Sequence, residues 1–327
     1  MEDAAGGSKG GSVRGFTVQK TGDAQCCLIG FPSVGKSSLL NAITNTKTKV
    51  SEIEFTTLEA VPGTFTHKDV TINLVDLPGI IEGASDARGR GRAVLGAART
   101  ADLIIIMVDG TKPISVVRKL TSELESFGIR LNKKPRDIQI TRAAGGVSIT
   151  TTCELKRTTE EEIIATMREI KANNMNILIR DPMTTVDDII DALPNSSVVY
   201  IPVMFVVNKC DALSQEELEL FMQLPNWIPI SAAAGWGLTQ LKDAIVNRLD
   251  LMRIFTKPPG APVDTNEPFI IKRNASISDL AKKIHKSLFD NLDHALVWGT
   301  STKFMGQRCG KEHVLDDEDV IQLVTKK

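Results

Sequence analysis

The eight residues Gly30 to Ser37, GFPSVGKS, constrain this chain more than any other stretch. A short apolar run, Cys26 to Ile29, comes before them, and a helical pattern carrying Leu39, Leu40 and Ile43 follows. Strand, glycine-rich loop and helix start together make the setting of a phosphate-binding loop. Backbone N–H groups then point inward, and the helix start adds the positive end of its dipole. In that setting Lys36 reaches the β- and γ-phosphates and the Ser37 hydroxyl ligates Mg²⁺. The plain alternative is a glycine-rich turn, and the loop alone does not choose between adenine and guanine.

Bulk properties narrow the rest. A chain of 327 residues has room for two or three domains. With 42% hydrophobic and 24% charged residues it reads as a soluble globular protein. A formal net charge of −1 gives no global field toward nucleic acid or a membrane, so neither DNA nor a membrane is an expected partner. Cysteines at 26, 27, 153, 210 and 309 form no C-x-x-C pair. That spacing suggests neither a zinc site nor a disulfide framework, and it fits a reducing, cytoplasmic setting. Residues 1–20 are polar and glycine-rich, without the apolar core of a signal peptide, and read as a flexible tail.

Further motifs follow in order, each at the end of an apolar strand. Ser51 to Gly63 is a threonine-rich loop. A strand from Val61 and an antiparallel one, Val70 to Val75, turn at His67 to Asp69 and end in Asp76-Leu77-Pro78-Gly79. Asp76 can hold a Mg²⁺-bound water, and the Gly79 N–H can approach a γ-phosphate; the alternative is a plain strand stop. Ile80 to Arg92, with Gly83, Gly89, Gly91, Arg88, Arg90 and Arg92, reads as an order–disorder switch or a solvated basic loop.

Asp102 to Asp109 is a buried parallel strand, and Val116, Leu120 and Leu124 stripe a helix running to about Phe127. Val203 to Val207 ends in Asn208-Lys209-Cys210-Asp211. A carboxylate at Asp211 can accept both N1–H and N2–H of guanine, a pair that adenine lacks. Asn208 can bind the base edge or tie down the phosphate loop, and the Lys209 stem can cover the ring. After the short strand Trp227 to Ile230, Ser231-Ala232-Ala233 offers a backbone N–H, that of Ala232, to the guanine O6. The helix Leu238 to Leu249 closes the domain. Ligand loops at the carboxyl ends of strands are where open α/β sheets bind.

GFPSVGKS, EFTTL, DLPGIIEGA, GRGR and NKCD together resemble the developmentally regulated GTP-binding proteins, in the Obg-related group of translation-factor-like GTPases. The likeness runs from about Gly15 to the C-terminus, where ALVWGTSTKF and QRCGKEHVLDDEDVIQLV are similar to a TGS domain. That family carries a helical segment ahead of the GTPase domain; this chain has a short glycine-rich tail there. The resemblance implies an α/β fold: a phosphate-loop GTPase domain with a mixed, mostly parallel sheet, a small ribosomal-protein-like insertion, and a C-terminal β-grasp TGS domain. It implies that Gly30, Phe31, Pro32, Ser33, Val34, Gly35, Lys36, Ser37 and Ser38 surround the phosphates. Asp76, Gly79, Asn208, Lys209, Asp211, Ser231 and Ala232 complete the nucleotide site, with Lys36, Thr57 and Gly79 in catalytic roles. The residues themselves do not separate Thr56 from Thr57 as the Mg²⁺-ligating switch threonine; the resemblance favours Thr57. Implied partners are GTP and GDP, a zinc-finger-bearing regulatory protein, and the ribosome with its rRNA.

The expected division is a GTPase domain over 21–127 and 199–252, an insertion over 128–198, and a TGS domain over 253–327. Within the insertion, Ile138 to Ile140 and Val147 to Ile149 read as a hairpin around Ala144-Gly145-Gly146. Thr159 and Glu162 form a capping box ahead of Ile163, Met167 and Ile170. Ile177 to Ile179 reads as a strand and Val186 to Leu193 as a helix. Lys133, Lys134, Arg136, Arg142, Lys156 and Arg157 suit RNA contact or a solvated face. Beyond Lys257 to Pro262 come a strand at Phe269 to Ile271, a helix capped by Ser278 with Leu280, Ile284 and Leu288, and strands Ala295 to Trp298 and Val320 to Val324. Lys272, Arg273, Lys282, Lys283 and Lys286 cluster there, suited to rRNA or a partner protein, while His285, His294 and His313 read as structural.

The implied reaction is phosphoryl transfer from GTP to water. Where many GTPases place a water-orienting glutamine after DxxG, this chain has Ile80, so slow hydrolysis helped by a partner or by K⁺ is expected. Some relatives hold K⁺ with a phosphate-loop asparagine; this chain has Ser33. The alternative to a switch is an assembly module whose nucleotide only stabilises the fold.

Overall fold

The computed structural model describes residues 22–44, 62–76, 96 and 98–326. Strand β1 (Ala24–Ile29) is buried at all six positions, as a strand paired on both sides and covered on both faces must be. Helix α1 (Lys36–Ile43) buries Leu39, Leu40 and Ile43. Strands β2 (Pro62–His67) and β3 (Val70–Asp76) form the expected antiparallel hairpin. Its two-residue turn, Lys68 and Asp69, has φ of 51° and 62°, the left-handed pair that a twisted hairpin needs. Strand β4 (Leu103–Asp109) is buried throughout.

Residues 115–203 form a separate compact unit. It takes in helix α2 (Ser115–Ser126), which the sequence reading places with the GTPase domain. This helix buries Val117, Leu120 and Leu124, so the stripe begins at Val117 rather than Val116. Strands β5 (Ile129–Leu131), β6 (Ile138–Arg142) and β7 (Val147–Thr151) precede helix α3 (Glu160–Glu169), strand β8 (Met175–Ile179), helix α4 (Val186–Asp191) and strand β9 (Val199–Ile201). The expected β6–β7 hairpin is not formed. β8 lies between the two, antiparallel to β6 and parallel to β7. The reason is burial: β8 carries the fully buried Ile177 and Ile179, whereas β6 and β7 alternate exposed polar residues and suit edges. The Ala143–Gly146 turn is fastened to the start of β8 instead, through Ala143 N to Asn174 O (3.0 Å) and Met175 N to Gly146 O (3.1 Å).

The capping box holds: Thr159 accepts from Glu162 N at 3.2 Å and Glu162 accepts from Thr159 N at 3.0 Å. Ile163 and Met167 join Ile177, Ile179 and Ile189 in this unit's core. Ile170 does not; it is the C-cap residue of α3 and 41% exposed.

The chain continues with β10 (Val203–Asn208), α5 (Gln215–Glu219), β11 (Trp227–Pro229) and α6 (Leu238–Leu249). The first sheet has the order β11-β10-β4-β1-β3-β2. β1 is parallel to β3 and β4, β10 is parallel to β11, and β2 alone is shown antiparallel, at one edge.

The C-terminal part comprises β12 (Leu251–Thr256), β13 (Asp264–Lys272), α7 (Ile277–Ile284), α8 (Lys286–Asn291), β14 (Leu292–Trp298), β15 (Gln307–Cys309) and β16 (Val320–Thr325). Its sheet runs β13-β12-β16-β14-β15, with Ile277, Leu280 and Ala281 of α7 packed on it. The sequence reading missed β12, which starts before the Lys257-Pro258 boundary and buries Met252 and Ile254. The cap of α7 is Ser276, not Ser278: Ser276 accepts from Asp279 N, and Asp279 accepts from Ser276 N at 3.0 Å. Ser278 is buried in the first turn, two residues past the cap, and Leu288 belongs to α8.

Part of the basic cluster is ion-paired while staying partly exposed. Lys272 pairs with Asp102 at 3.2 Å, Lys283 pairs with Asp23 at 3.4 Å and also donates to the Ile270 carbonyl, and Arg273 pairs with Asp250 at 3.0 Å. The histidines are structural as expected. His285 caps α8, His294 meets Asp293 at 2.7 Å and His313 meets Ser301 at 3.0 Å. No helix among the described residues is long and apolar enough to cross a membrane.

Replacing a buried residue of the insertion core should separate it from the exposed stripe end. Met167→Ala should cost about 3 kcal/mol of unfolding free energy and Ile170→Ala less than about 0.5 kcal/mol, measured by urea denaturation. Equal costs would show that Ile170 is packed after all.

Candidate nucleotide site

The strand ends bring the expected motifs together. Leaving β1, the chain passes through Gly30 to Gly35 and enters α1 at Lys36. Gly30 must be glycine because an added Cβ would run into the Met107 carbonyl of β4. At Gly35 the φ of 97° and the side-chain amide of Asn208, which fills the space a Cβ would take, impose the same choice. Ser33 also lies in the left-handed region, with φ 63°. Pro32, Ser33, Ser37 and Ser38 are exposed, Val34 is buried, and Phe31 packs against the core. The Lys36 ammonium donates to the carbonyls of Gly30 (2.9 Å) and Phe31 (3.0 Å), folded back across the loop.

Asn208 ties this loop to the segment Ser231–Ala233. Its Nδ2 donates to Val34 O at 2.7 Å, and its Oδ1 accepts from Ala232 N at 2.9 Å. Of the two roles open to Asn208, the structure displays the fastening one. It also engages the Ala232 N–H expected for guanine O6. Ser231 is buried and accepts from Ala234 N at 3.1 Å. Asp211 sits exposed in the short 3-10 turn Cys210–Ala212, held by Cys210 N to Ile230 O at 3.1 Å.

Lys209 is left-handed, with φ 66°, and its ammonium lies 2.6 Å from Asp109 Oδ2 at the end of β4. Burial pushes the Asp109 carboxyl up, but hydrogen bonds from Lys209 and Thr111 outweigh it and hold the group below the ordinary aspartate value. Sequence reasoning missed Asp109. The signal was present: like Asp76, it is an acidic residue closing an apolar strand.

Asp76 ends β3 with Oδ1 buried and without a hydrogen-bond partner among the described residues. Burial raises its pKa, with Lys36 opposing. An orphaned carboxylate oxygen beside a lysine-bearing phosphate loop fits the water shell of a divalent cation. Thr56, Thr57, Gly79, Ile80 and the basic stretch 80–92 lie outside the described residues.

The family described as 50S ribosome-binding GTPase matches residues 25–142, the C-terminal region of that domain matches 144–251, and the TGS domain matches 252–325. Ribosome-interacting GTPase 1 of Saccharomyces cerevisiae is 45% identical over 100% of this chain and 89% of its own. Developmentally-regulated GTP-binding protein 1 of Xenopus laevis is 44% identical over 98% of this chain and 88% of its own. The chain belongs to the developmentally regulated GTP-binding protein family. A GTP binding protein from Pyrococcus horikoshii OT3 superposes with a TM-score of 0.52 at 16% identity, covering 92% of this chain and 100% of that one; this likeness concerns the fold alone. The expected phosphate-loop GTPase domain and C-terminal TGS domain are therefore both present in this member of the family.

The raised Asp76 pKa carries a pH signature. The folded state holds the proton more tightly than the unfolded chain, so ionisation at neutral pH costs stability. In nucleotide-free protein with EDTA, Asp76→Asn should melt above wild type at neutral pH. The gap should close as pH falls toward 3.8, the ordinary aspartate value. Melting at or below wild type throughout would contradict the burial cost.

Proposed function

We propose that this chain is a GTP-hydrolysing molecular switch that acts with ribosomes. One observation carries the reading. The buried Asn208 amide joins the phosphate loop, through Val34, to the base-reading loop, through Ala232, so one side chain makes a single nucleotide site of both. Asp211, three residues on, reads guanine through N1–H and N2–H, and ATP, with no such donor pair, is rejected. Lys36 leaves the loop carbonyls for the phosphates. Ser37 and Thr57 would hold Mg²⁺, Asp76 would accept from a water bound to it, and the Gly79 N–H would meet the γ-phosphate. The ion, when bound, neutralises charge that builds on the phosphate oxygens.

The family and fold support hydrolysis in general. With Ile80 after the DxxG motif, no side chain there orients the attacking water, so unassisted turnover is slow, on the order of 10⁻³ s⁻¹ or below. A partner or K⁺ near Ser33 then supplies the missing assistance. The relative named for ribosome interaction supports a ribosomal setting, and a cytoplasmic location goes with that reading. A zinc-finger-bearing regulatory protein is the expected stimulating partner.

Phosphate release from GTP should be abolished by Lys36→Ala, and Asp211→Asn should weaken GDP binding about a hundredfold or more. Hydrolysis in KCl should exceed that in NaCl. Equal phosphate release by wild type and Lys36→Ala would instead favour a module whose nucleotide only stabilises the fold. Unchanged GDP affinity in Asp211→Asn would overturn the base assignment.

A further inference from the structure

We propose that Asp109 is a positioning residue for the guanine base: its carboxylate anchors the Lys209 ammonium, so that the aliphatic stem of Lys209 is held as one wall of the base site. The inference rests on the reading of Asn208 to Asp211 as the guanine-binding segment.

Four observations bear on it. Asp109 is only 8% exposed, yet it faces the most solvent-accessible side chain of that segment's first two residues, Lys209. The carboxylate is fixed before it meets Lys209, because Oδ1 accepts from the Thr111 hydroxyl at 2.7 Å and the Thr111 N–H at 3.0 Å, leaving Oδ2 for the ammonium at 2.6 Å. The next residue, Gly110, donates its N–H to Asn208 O at 2.9 Å, and a Cβ there would collide with Leu213. The ends of β4 and β10 are thus tied by a backbone hydrogen bond next to the ion pair. Lys209 itself sits in the left-handed region, with φ 66°, as the residue that leads into the 3-10 turn Cys210–Ala212.

A stem that served by its aliphatic carbons alone would work without its charge. One aimed by Asp109 would not. Lys209→Met keeps the stem and removes the ammonium, so the two cases separate. Release of fluorescently labelled GDP and GTP from the full chain, chased with excess unlabelled nucleotide, should be about tenfold faster in both Lys209→Met and Asp109→Asn. The factor should be the same for GDP and GTP, since the base is common to both. The double variant should release no faster than Lys209→Met alone, because the two groups act as one unit. Lys209 is at the surface, so its variant gives an answer even if Asp109→Asn does not fold. Release from Lys209→Met within twofold of wild type, or rates that multiply in the double variant, would overturn the proposal. So would Lys209→Met releasing at the wild-type rate while its nucleotide-free form melts lower, which marks an ion pair of structural value only. Failure of the underlying reading shows separately: ADP would then displace labelled GDP from the wild-type protein as readily as GDP does.

Discussion

Much of the candidate nucleotide site depends on one buried side-chain amide. Asn208 is 4% exposed and spends both ends of its carboxamide, one on the Val34 carbonyl and one on the Ala232 N–H. Either group, left buried without a partner, would cost on the order of 1–3 kcal/mol. The contact is also steric. Gly35 can be nothing larger because the Asn208 amide occupies its missing side chain's place. A hydrogen bond between β10 and the loop after β1 therefore sets the shape of a loop that lies two strands away in the sheet.

Sheet order explains why such a contact can form. Read across β10, β4, β1 and β3, the strands close with Asn208, Asp109, the phosphate loop and Asp76. Burial along each strand forces these polar groups to its end, and neighbouring strands collect them on one edge. The opposite ends of the strands tell a related story. Asp102 accepts from Gln25 N at 3.0 Å and Asp23 from Thr71 N at 2.9 Å. Each then takes a lysine from the C-terminal domain, so carboxylates that finish the sheet's hydrogen bonding also hold that domain. Two of the lysines that the sequence offers to rRNA or a partner protein thus have carboxylate partners within the chain.

Local signals in the sequence proved legible; partner choice did not. The helix Leu238–Leu249 was readable to the residue because its signals, the apolar spacing within it and the glycine just before it, are local. The Thr159 capping box was legible for the same reason. The β6–β7 hairpin failed because a Gly-Gly turn reports a reversal of direction, not which strand will pair; β8 won by burying more apolar surface. β12 was missed since its pattern abuts α6 without a turn signal, and Asp250 supplies the break through a left-handed φ of 51° that no glycine announces. At the site, residue types and order were readable, but the engagement of Ala232 N–H by Asn208 requires coordinates. So does the pairing of Lys209 with Asp109, which lie a hundred positions apart.

Ser33, Gly35 and Lys209 share one further property: all three sit at positive φ. For the two with a Cβ this costs on the order of 1–2 kcal/mol each. Such conformations persist only where the surroundings over-determine them. For the loops described here the surroundings are identifiable. Asn208 fixes Val34 between Ser33 and Gly35, and Asp109 fixes the end of Lys209. The left-handed backbone also separates two demands on position 33. A short polar residue such as asparagine or serine tolerates that φ for conformational reasons alone, before any cation is considered. Backbone shape and ion recruitment are therefore distinct requirements at Ser33, and a serine there satisfies the first regardless of the second.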